Sequence, residues 1–526
     1  MKYLLLFVFT TTCLYNTIVA QSGMLDKNFG NNGKLDPGYL DIYGVARTAL
    51  IQNDGKILLV GQTFYTNDIV MARYLKKGEI DSSFGKNGVY QNYNAGGYAE
   101  GNPIAALQKD GKIVVAGTVV SGNNTSYPTV SRYLPNGSID SSFGKNGVSY
   151  RVFNSKEVQA EAIAIQPDNK IVIVGNYRLP NRSVGIMRYT SNGKVDTTFG
   201  ENHTGVFQIL LNKNGDAFWT VVIQPDGKII AGGVTAGIDP GLDFVMLRTT
   251  VDGRPDSTFG RNGVVTTDFC NNDDRGESIA LQPDGKIIFA GQVHCGNNYN
   301  FGIGRYLPDG RLDSSFGTKG KVITDFSGYD DYATSIAIEL NGKIVAGGVS
   351  FLSSNTSSGN FALAQYKTNG TLDSSFGNNG TTITDFHGLQ DWGYDAALQK
   401  DGKIILCGFA NTQLHTGFAL ARYKDDECLI NNNCVDTQLK LTSARILSLA
   451  PNPVKNILSL SFNSQIQMRW HITISSVYGK VYKNLDWNTS SSLNTKQIDV
   501  SFLPTGIYML NVYTADECYS SKFLKD

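Results

Sequence analysis

The sequence lacks the short motifs that identify most catalytic and metal-binding sites. It has only 5 histidines and 7 cysteines among 526 residues. None of them has the Cys-x-x-Cys or His-Cys spacing of a zinc site, or the His-Glu spacing of a metalloprotease. A Gly-x-Ser-x-Gly nucleophile elbow and a phosphate-binding loop are also missing. We therefore expect no cofactor and no resident metal, and the sequence nominates no catalytic residue.

The chain also lacks an excess of either charge, helical periodicity, and a long apolar run beyond its N-terminus. Lysine plus arginine and aspartate plus glutamate number 46 each. This balance argues against a nucleic-acid or anionic-membrane partner held by bulk electrostatics. After residue 20, no stretch is long and apolar enough to span a bilayer. We expect a monomer with no nucleic-acid partner and no transmembrane segment after signal removal.

Repetition is the dominant feature of the sequence. The phrase Leu372-Asp373-Ser374-Ser375-Phe376-Gly377 is one of seven near-copies, whose phenylalanines are Phe29, Phe84, Phe143, Phe199, Phe259, Phe316 and Phe376. The steps between them are roughly 55 to 60 residues, and a period of this size indicates a repeat architecture. A catalytic residue has no reason to recur in every repeat. We therefore interpret the Asp and Ser as turn caps and the Phe as a plug between repeats.

Two further phrases keep the same period. A turn such as Asp284-Gly285-Lys286 separates two apolar runs in each repeat, and Asp-Gly between such runs is a strong hairpin signal. In the second and all later copies of the first phrase, an arginine or glutamine lies at a constant distance before the aspartate, as Arg73 does before Asp81. These residues are Arg73, Arg132, Arg188, Arg248, Arg305 and Gln365, with Arg422 as a seventh member.

Each repeat predicts four short strands. In the fifth repeat they run from Gly263 to Phe269, Ser278 to Gln282, Lys286 to Gly291 and Asn300 to Tyr306. All four are rich in β-branched or aromatic residues and are bounded by turn residues. Four strands per unit are typical of a propeller blade. We predict an all-β fold, a seven-bladed β-propeller of four-stranded blades followed by a small β-sandwich. An open β-solenoid is the alternative to the propeller.

The two ends of the repeat region are each incomplete. Arg422 has no aspartate at the usual spacing, and Leu25 to Gly30 carries the first phrase with no strand before it. We predict that this N-terminal phrase docks after the strand from Gly417 to Tyr423 and closes the ring without an open edge. Asp26 should then lie near Arg422. At a partly exposed turn such an ion pair contributes only about 1 kcal/mol.

The N-terminus predicts export. Residues 1–20 have the basic start, apolar run and small final residue of a secretory signal peptide, and a lipid-anchored Cys13 is a weaker alternative. Export makes disulfides possible. Cys270 and Cys295 flank the outer ends of one hairpin and are the predicted pair, whereas Cys407 lies in an apolar run and predicts a buried thiol.

The turn phrases resemble a known family. Gln224 to Lys228 and Gln282 to Lys286 both read Gln-Pro-Asp-Gly-Lys, while Leu312 to Gly317 and Leu372 to Gly377 both read Leu-Asp-Ser-Ser-Phe-Gly. Together these phrases resemble the delta-60 repeat family, a group of secreted bacterial β-propellers of unknown function. The resemblance covers roughly residues 25–424, and we place the propeller at residues 21–424.

The chain beyond the repeats has a different pattern. Residues 425–445 predict a polar linker, and short alternating strands in residues 446–526 predict the small β-sandwich. Its distinctive residues are Pro451, Asn452, Pro453, Gly479, Gly506, Tyr508, Lys522 and Lys525. With these residues the tail is similar to the type A sorting domain of type IX secretion cargo. The resemblance implies the type IX secretion machinery as a partner and a secreted or outer-surface location. An ordinary terminal sandwich is the alternative.

The turns and loops that join the strands fall into two sets, which differ in how much they vary between repeats. One set of turns is nearly uniform, whereas the opposite loops vary in length and content, and variable loops on a rigid scaffold commonly carry binding sites. Aromatic rings beside Asn and Asp suit stacking on a sugar face. The candidate ligand-binding residues are Tyr65, Tyr127, Tyr177, Trp219, Tyr299, Tyr329 and Trp392. We expect a binding or adhesion module for a glycan or a surface protein, not an enzyme.

Two alternatives to this interpretation remain at the level of sequence. The aromatic rings could instead cover blade edges. The pairs Asp273-Asp274 and Asp330-Asp331 could serve an extracellular polysaccharide hydrolase or bind calcium, although we interpret them as solvated loop charges.

The C-terminal assignment predicts the behaviour of a shortened chain. A chain ending near Lys440 should fold when expressed alone but should not reach the medium of the native host, because residues 446–526 carry the sorting signal. Circular dichroism and immunoblots of cell fractions would check the two halves of this prediction. Appearance of the shortened chain in the medium, or its failure to fold, would show the assignment to be wrong.

Overall fold

The computed structural model is all-β, and its repeats form seven antiparallel sheets. It describes residues 22–36, 42–91, 98–99, 103–120, 126–150, 157–177, 183–200, 203–212, 215–236, 241–354, 358–424, 448–451, 453–463, 469–476, 481–488, 493–513 and 518–526. The predicted signal peptide with Cys13, the predicted linker, Asn452 and Gly479 lie outside these residues.

Each sheet is a blade with an inner, a second, a third and an outer strand. The inner strands are Gly44–Ile51, Ile104–Leu107, Val158–Ile165, Asp216–Ile223, Asp274–Leu281, Asp331–Ile338 and Asp391–Leu398, and Tyr98–Ala99 is an additional inner piece in blade two. The second strands are Ile57–Thr63, Ile113–Val120, Ile171–Tyr177, Ile229–Ala236, Ile287–Cys295, Ile344–Phe351 and Ile404–Asn411. The third strands are Ile69–Tyr74, Ser126–Tyr133, Ser183–Tyr189, Leu242–Thr249, Asn298–Tyr306, Gly359–Tyr366 and Thr416–Tyr423. The outer strands are Val89–Gln91, Val148–Tyr150, Val206–Ile209, Val264–Thr267, Lys321–Thr324, Thr381–Thr384 and, for blade seven, Lys34–Leu35.

The seven blades close into a ring. Each inner strand packs against the inner strands of both neighbouring blades, and Gly44–Ile51 of blade one contacts Asp391–Leu398 of blade seven. The predicted seven-bladed propeller is therefore confirmed, and the open solenoid is wrong.

The blades are offset from the sequence repeats by one strand. The stretch from Gly263 to Phe269, predicted as the first strand of the fifth repeat, supplies Val264–Thr267 as the outer strand of blade four. The reason is the connection that follows it, which crosses from the rim of one blade to the centre of the next.

The second strands form the core because neighbouring blades cover both of their faces. In Ile171–Tyr177 the first five residues are all buried, and the equivalent residues are buried in the other blades. The preceding turn is built as the sequence predicts. At Asp54-Gly55-Lys56 the Gly55 N–H donates to the Gln52 carbonyl at 2.8 Å, and Gly55 has a φ of 82°, which suits glycine.

A buried arginine clamp joins each blade to the next. Arg73 Nε donates to Asp81 Oδ2 at 2.8 Å, and an Nη1 hydrogen bond reaches the Pro135 carbonyl of blade two. The guanidinium lies 4.7 Å from the centroid of the Phe84 ring, and that ring is wholly buried and packs into the cluster shared with blade two. The same arrangement recurs at Arg132, Arg188, Arg248 and Arg305.

The aspartates of the clamp are held ionised. Burial alone would raise the pKa of Asp81, but hydrogen bonds from Ser83 and Lys56 and the nearby charge of Arg73 outweigh it, and the pKa falls to about 2. Asp81 Oδ1 also accepts the Ser83 N–H and hydroxyl. The prediction that Asp and Ser cap this turn, and that Phe plugs the gap between blades, is confirmed.

Blade six replaces the clamp with a matched pair of substitutions. Gln365 stands where the other blades have arginine, and Glu339 stands where they have glutamine. Gln365 Nε2 donates to Glu339 Oε1 at 2.6 Å, and Lys343 Nζ lies 2.9 Å from Asp373. In the other blades the third-strand residue of this contact is the charged one, whereas in blade six the charged residue is Glu339. Both Gln365 and Glu339 are buried.

The N-terminal segment completes blade seven. Lys34 pairs with Ala421 and Leu35 with Leu420 in an antiparallel register, and Arg422 Nη2 lies 2.8 Å from Asp26 Oδ2. The predicted closure and the predicted pair are both confirmed. The expected exposure was wrong, because the Asp26 and Arg422 side chains are only 2% and 4% exposed. Losing one partner of such a pair costs more than the predicted contribution of a surface pair.

The C-terminal residues form a second β domain. Its two sheets contain Ser448–Ala450, Ile457–Asn463 and Leu493–Asp499 in one, and Arg469–Ser476, Val481–Asn488, Gly506–Tyr513 and Cys518–Lys525 in the other. Side chains of both sheets, including Leu458, Ile474 and Leu510, share one buried cluster, as in a sandwich. Across the described ranges, the structure contains no helix long and apolar enough to cross a membrane.

Both cysteine predictions that fall on described residues are confirmed. Cys270 and Cys295 form a disulfide with a Cα–Cα distance of 5.4 Å, and Cys407 is a buried free thiol. The disulfide ties the loop that enters blade five to the end of the second strand of that blade.

Ring closure predicts two unequal stability changes. Asp26→Ala should lower the free energy of unfolding by about 3 kcal/mol, because it leaves Arg422 buried and unpaired. Deleting residues 21–33 should lower the melting temperature much further, because it also removes the Phe29 plug and the backbone hydrogen bond from Arg422 N to Gly33. Thermal unfolding followed by circular dichroism would measure both. Asp54→Ala, at a side chain 54% exposed, is the control with little expected change, and equal effects of the deletion and Asp26→Ala would contradict the prediction.

Candidate functional site

The two ends of the ring are built from different connections. Each inner strand starts at the end that carries the variable loops, which we call the variable face. It finishes at the Asp-Gly turns of the opposite, uniform face. In blade five, the inner strand Asp274–Leu281 follows the loop after Val264–Thr267 and leads into the turn at Asp284.

Among the described residues, the inner strands of six blades carry a β-bulge at the same repeat position, and in blade two residues 100–102 at this level are not described. In blade five Gly276 pairs with Gly291 and Ser278 with Ala290, so Glu277 between them has no partner across the ladder. A bulge redirects the side chain it carries and is frequent beside functional sites. The bulged residues are Arg47, Glu161, Trp219, Glu277, Thr334 and Tyr394.

A repeated glycine on the second strand makes room for the bulged strand. A Cβ atom at Gly291 would lie 1.9 Å from the Arg275 carbonyl oxygen, and one at Gly348 would lie 2.0 Å from the Tyr332 carbonyl oxygen. Both distances are far shorter than a van der Waals contact. A Cβ atom would come equally close to the inner strand at Gly61, Gly233 and Gly408, at 1.8 to 2.0 Å, and less close at Gly175, at 2.6 Å.

The bulges and the residues beside them line one cavity at the centre of the ring. Its volume is about 540 Å³, within the usual size range of small-ligand sites. Its aromatic lining consists of Trp219, Tyr299, Tyr332, Trp392 and Tyr394, and its polar lining of Arg47, Arg275, Glu277, Gln292 and Thr334.

A second cleft, of about 660 Å³, lies beside the closure turns. It is lined by Asn28, Gly30, Asn31, Lys34 to Asp36 and Lys77 to Glu79. No aromatic side chain lines it. We therefore take the central cavity as the candidate site.

The cavity holds two arginines and a carboxylic acid with a raised pKa. The Arg47 guanidinium lies 4.1 Å from the centroid of the Tyr394 ring. The Glu277 side chain is partly exposed to solvent in the cavity, but protein atoms surround most of it. Burial raises its pKa to about 8, Arg275 opposes the shift, and the negative charge of Glu161 adds to it. Glu277 is therefore mostly protonated at neutral pH and can donate a hydrogen bond or a proton.

Three nitrogen donors of the lining are unsatisfied. Within the described part of the chain, Nε of Arg47, Nε of Arg275 and Nε1 of Trp392 are buried without a hydrogen-bond partner. A buried donor without a partner costs free energy. Among the described residues that line the cavity, no buried oxygen lacks a hydrogen-bond partner. A ligand rich in hydrogen-bond acceptors therefore matches the cavity best.

Aromatic contacts run along one wall of the cavity. The ring centroids of Tyr299 and Tyr332 are 5.6 Å apart, those of Tyr332 and Trp392 are 5.6 Å apart, and those of Trp392 and Tyr394 are 6.1 Å apart. The Tyr332 hydroxyl donates to Asp330 at 3.2 Å. These contacts hold the rings in fixed orientations.

Buried aspartates organise the loops above the cavity. Asp274, Asp331 and Asp391 each open an inner strand and are wholly buried, and each accepts the N–H of a loop phenylalanine. Burial raises the pKa of all three to about 7. The interpretation of Asp274 and Asp331 as solvated charges was therefore wrong, because the loop amides bind them inside the protein.

One group of carboxylates could hold a cation. Oxygens of Asp243, Asp268 and Asp274 lie within 4.8 Å of one another, and such a set of oxygen ligands suits Ca²⁺. The sequence analysis named Asp274, together with Asp273, as a possible calcium ligand, but it did not name Asp243 or Asp268.

The candidate aromatic residues do not form a single cluster. Trp219, Tyr299 and Trp392 line the cavity. Three others lie elsewhere: Tyr65 and Tyr329 are 83% and 39% exposed, and Tyr127 packs against Tyr150.

Tyr177 cannot bind a surface ligand as it stands. It is 2% exposed and belongs to the core between blades three and two. The physical reason is its strand position, since Tyr177 stands where blade five has the buried Val293.

Arg47, Arg275, Glu277, Tyr332 and Thr334 were missed by sequence reasoning. Each of them comes just before a small residue in an inner strand. The amino acid at such a position differs between repeats, whereas the residues around it stay similar, and this contrast is the signal in the sequence. The glycine opposite, as in Val60-Gly61 or Ala290-Gly291, marks the same level of the blade.

Fold and cavity together define a β-propeller with a side-chain-lined central site. Residues 52–84, 108–143, 166–199, 224–259, 282–316 and 340–376 match the family described as a domain of unknown function with a β-propeller, and residues 448–526 match the secretion system C-terminal sorting domain. The chain thus contains six matched propeller repeats and a sorting domain. The seventh blade is not among the matched repeats. Its strands are not continuous in sequence, because they come from both ends of the propeller.

The solved structures similar to this chain include two enzymes and a protein of unknown function, all at low identity. A polysaccharide lyase has 10% identity and a TM-score of 0.42 over 78% of this chain and 94% of its own. A Trypanosoma rangeli sialidase has 10% identity and a TM-score of 0.35 over 91% and 88%. A Dyadobacter fermentans protein of unknown function has 12% identity and a TM-score of 0.37 over 63% and 96%. At these values none of them bears on what this chain binds, and no curated protein matches it.

The glycine beneath each bulge gives a testable prediction. Gly348→Ala should lower the free energy of unfolding by about 1 to 3 kcal/mol, because the new Cβ meets the Tyr332 backbone. It should also disturb the cavity side chains Tyr332 and Thr334. Gly347→Ala is the matched control in the same strand, since its Cβ meets only side-chain atoms, at 3.0 Å or more. Denaturant unfolding of both variants would measure the difference, and equal losses would contradict the account of the bulge.

Proposed function

We propose that this protein binds an extracellular glycan in its central cavity, through the variable face. The observation that carries the proposal is the convergence of bulged side chains from separate blades on one cavity with aromatic and charged walls. These side chains are not part of the arginine clamps or of the buried clusters that join neighbouring blades.

The chemistry of the cavity supports a sugar ligand. Flat rings such as Trp392 and Tyr394 offer apolar faces for the C–H side of a pyranose. The unsatisfied donors of Arg47 and Arg275 match hydroxyl, carboxylate or sulfate oxygens. A protein ligand is the other partner that the sequence analysis considered, but a cavity of about 540 Å³ favours a small or narrow group.

Location supports an extracellular ligand. The C-terminal sorting domain at residues 448–526 directs export by type IX secretion to the cell surface or the extracellular space. The propeller therefore meets glycans outside the cell, and its partner during export is the secretion machinery.

One observation favours the second candidate, an extracellular polysaccharide hydrolase. Glu277 has a pKa of about 8, and a protonated carboxylic acid in a cavity can act as a general acid. In this hypothesis the acid is Glu277 in the cavity, and not one of the loop pairs Asp273-Asp274 and Asp330-Asp331. Glu161 is the second carboxyl group close enough to affect Glu277.

A glycan array with the mature chain tests the proposal. We expect binding to a defined class of glycans, and Arg275→Ala should weaken it about tenfold or more, because a hydrogen bond to a charged group is lost. Arg311→Ala is the control, because that side chain is 75% exposed on the uniform face and should not affect binding.

Product analysis separates the two candidate functions. Incubation of the bound glycan with the protein should release no shorter products if the function is binding alone. Product release that disappears in Glu277→Gln would establish the hydrolase instead. Binding to no glycan, or equal binding by the two arginine variants, would remove the proposal.

A further inference from the structure

An exposed cluster of aromatic side chains lies on the variable face beside the cavity. It consists of Tyr43, Phe64 and Tyr65 of blade one and Phe409 of blade seven, and we call it the aromatic platform. The Tyr43 and Tyr65 rings are stacked, with centroids 4.7 Å apart and planes 8° from parallel. Phe64 packs edge-on against Tyr43 and against Phe409, at 5.3 and 6.0 Å.

The platform is not explained by packing of the core. Tyr65 is 83% exposed, Tyr43 is 41% exposed and Phe64 is 38% exposed. Tyr43 covers one face of the Tyr65 ring, so the opposite face is available to solvent. Adjacent exposed aromatic groups on a folded surface commonly mark a binding site.

The platform is continuous with the cavity. The Phe409 ring lies 6.3 Å from the ring of Tyr394, which lines the cavity. From Tyr394 the aromatic contacts continue through Trp392 and Tyr332 to Tyr299. A single series of touching rings therefore leads from exposed Tyr65 to the centre of the propeller.

We propose that the platform is the outer part of the binding site, and that the occupant of the whole track is an extended oligosaccharide chain. This inference rests on the proposed glycan-binding function and deepens it. One end of the chain lies in the cavity, and the following sugar units stack along Phe409, Phe64 and the open face of Tyr65. A row of separate flat rings suits a row of linked pyranose units better than one compact ligand.

The proposal predicts that affinity depends on chain length. The probes are three series of oligosaccharides, each from disaccharide to octasaccharide: cello-oligosaccharides, chito-oligosaccharides and oligogalacturonides. For the series that binds, calorimetry with the mature protein should show affinity rising with length and then levelling off. Tyr65→Ala should remove about three- to tenfold of the octasaccharide affinity and leave the disaccharide affinity unchanged.

Matched variants localise the effect. Tyr150→Ala removes a tyrosine that is 55% exposed on the outer strand of blade two, away from the track, and should bind every probe as the unmodified protein does. Melting temperatures of both variants should match that of the unmodified protein, because neither ring belongs to the core.

The possible failures are distinct. Equal affinity for disaccharide and octasaccharide, or equal effects of Tyr65→Ala and Tyr150→Ala, would overturn the extended track while leaving the cavity proposal in place. Absence of binding by all three series, together with a negative array, would overturn both. If Tyr65→Ala weakened attachment to protein-coated surfaces but not to polysaccharide-coated ones, the occupant would be a protein and the inference would be wrong.

Discussion

The buried ion pair between an arginine and an aspartate is the interaction on which the ring depends. Each arginine binds an aspartate of its own blade, covers a phenylalanine ring and reaches a carbonyl of the next blade. Burying both charges is unfavourable unless all of their hydrogen-bonding groups are used. The geometry of one blade is thereby coupled to the position of its neighbour. In blade six, Glu339 and Gln365 replace the usual glutamine and arginine together and keep a hydrogen bond at this position.

Because the clamps and turns fix the uniform face, the opposite face is free to differ between blades. The bulge occurs at one level of the inner strands, but the residue it carries changes from Arg47 to Trp219 to Glu277. Structural symmetry thus supplies equivalent positions around an axis, and chemical asymmetry fills them with different groups. The cavity is the place where the repeat ceases to be a repeat, which is the expected location of a site on such a scaffold.

Much of the fold could be predicted from the sequence, because the phrases that build it recur. The positions of Phe84, the pairing of Asp26 with Arg422 and the Cys270–Cys295 disulfide all follow from spacing within or between repeats. The site could be predicted only in part. Trp219 and Trp392 were found as conspicuous aromatic residues, whereas Arg275 and Glu277 depend on a bulge that shifts the register by one residue. No single-sequence periodicity shows such a shift. Tyr177 was misplaced for another reason: it belongs to the second strand of blade three, and its position in that strand puts its side chain in the core.

Closure of blade seven by the N-terminal segment has a consequence for the order of folding. Lys34–Leu35 can pair with Thr416–Tyr423 only after the whole repeat region has been synthesised, and contacts between such distant segments form slowly because of the chain entropy they cost. Until then the third strand of blade seven has an unpaired edge. Two chains that fold side by side at high concentration can therefore exchange N-terminal segments, each completing the other's last blade in a swapped dimer held by the same hydrogen bonds as the monomer.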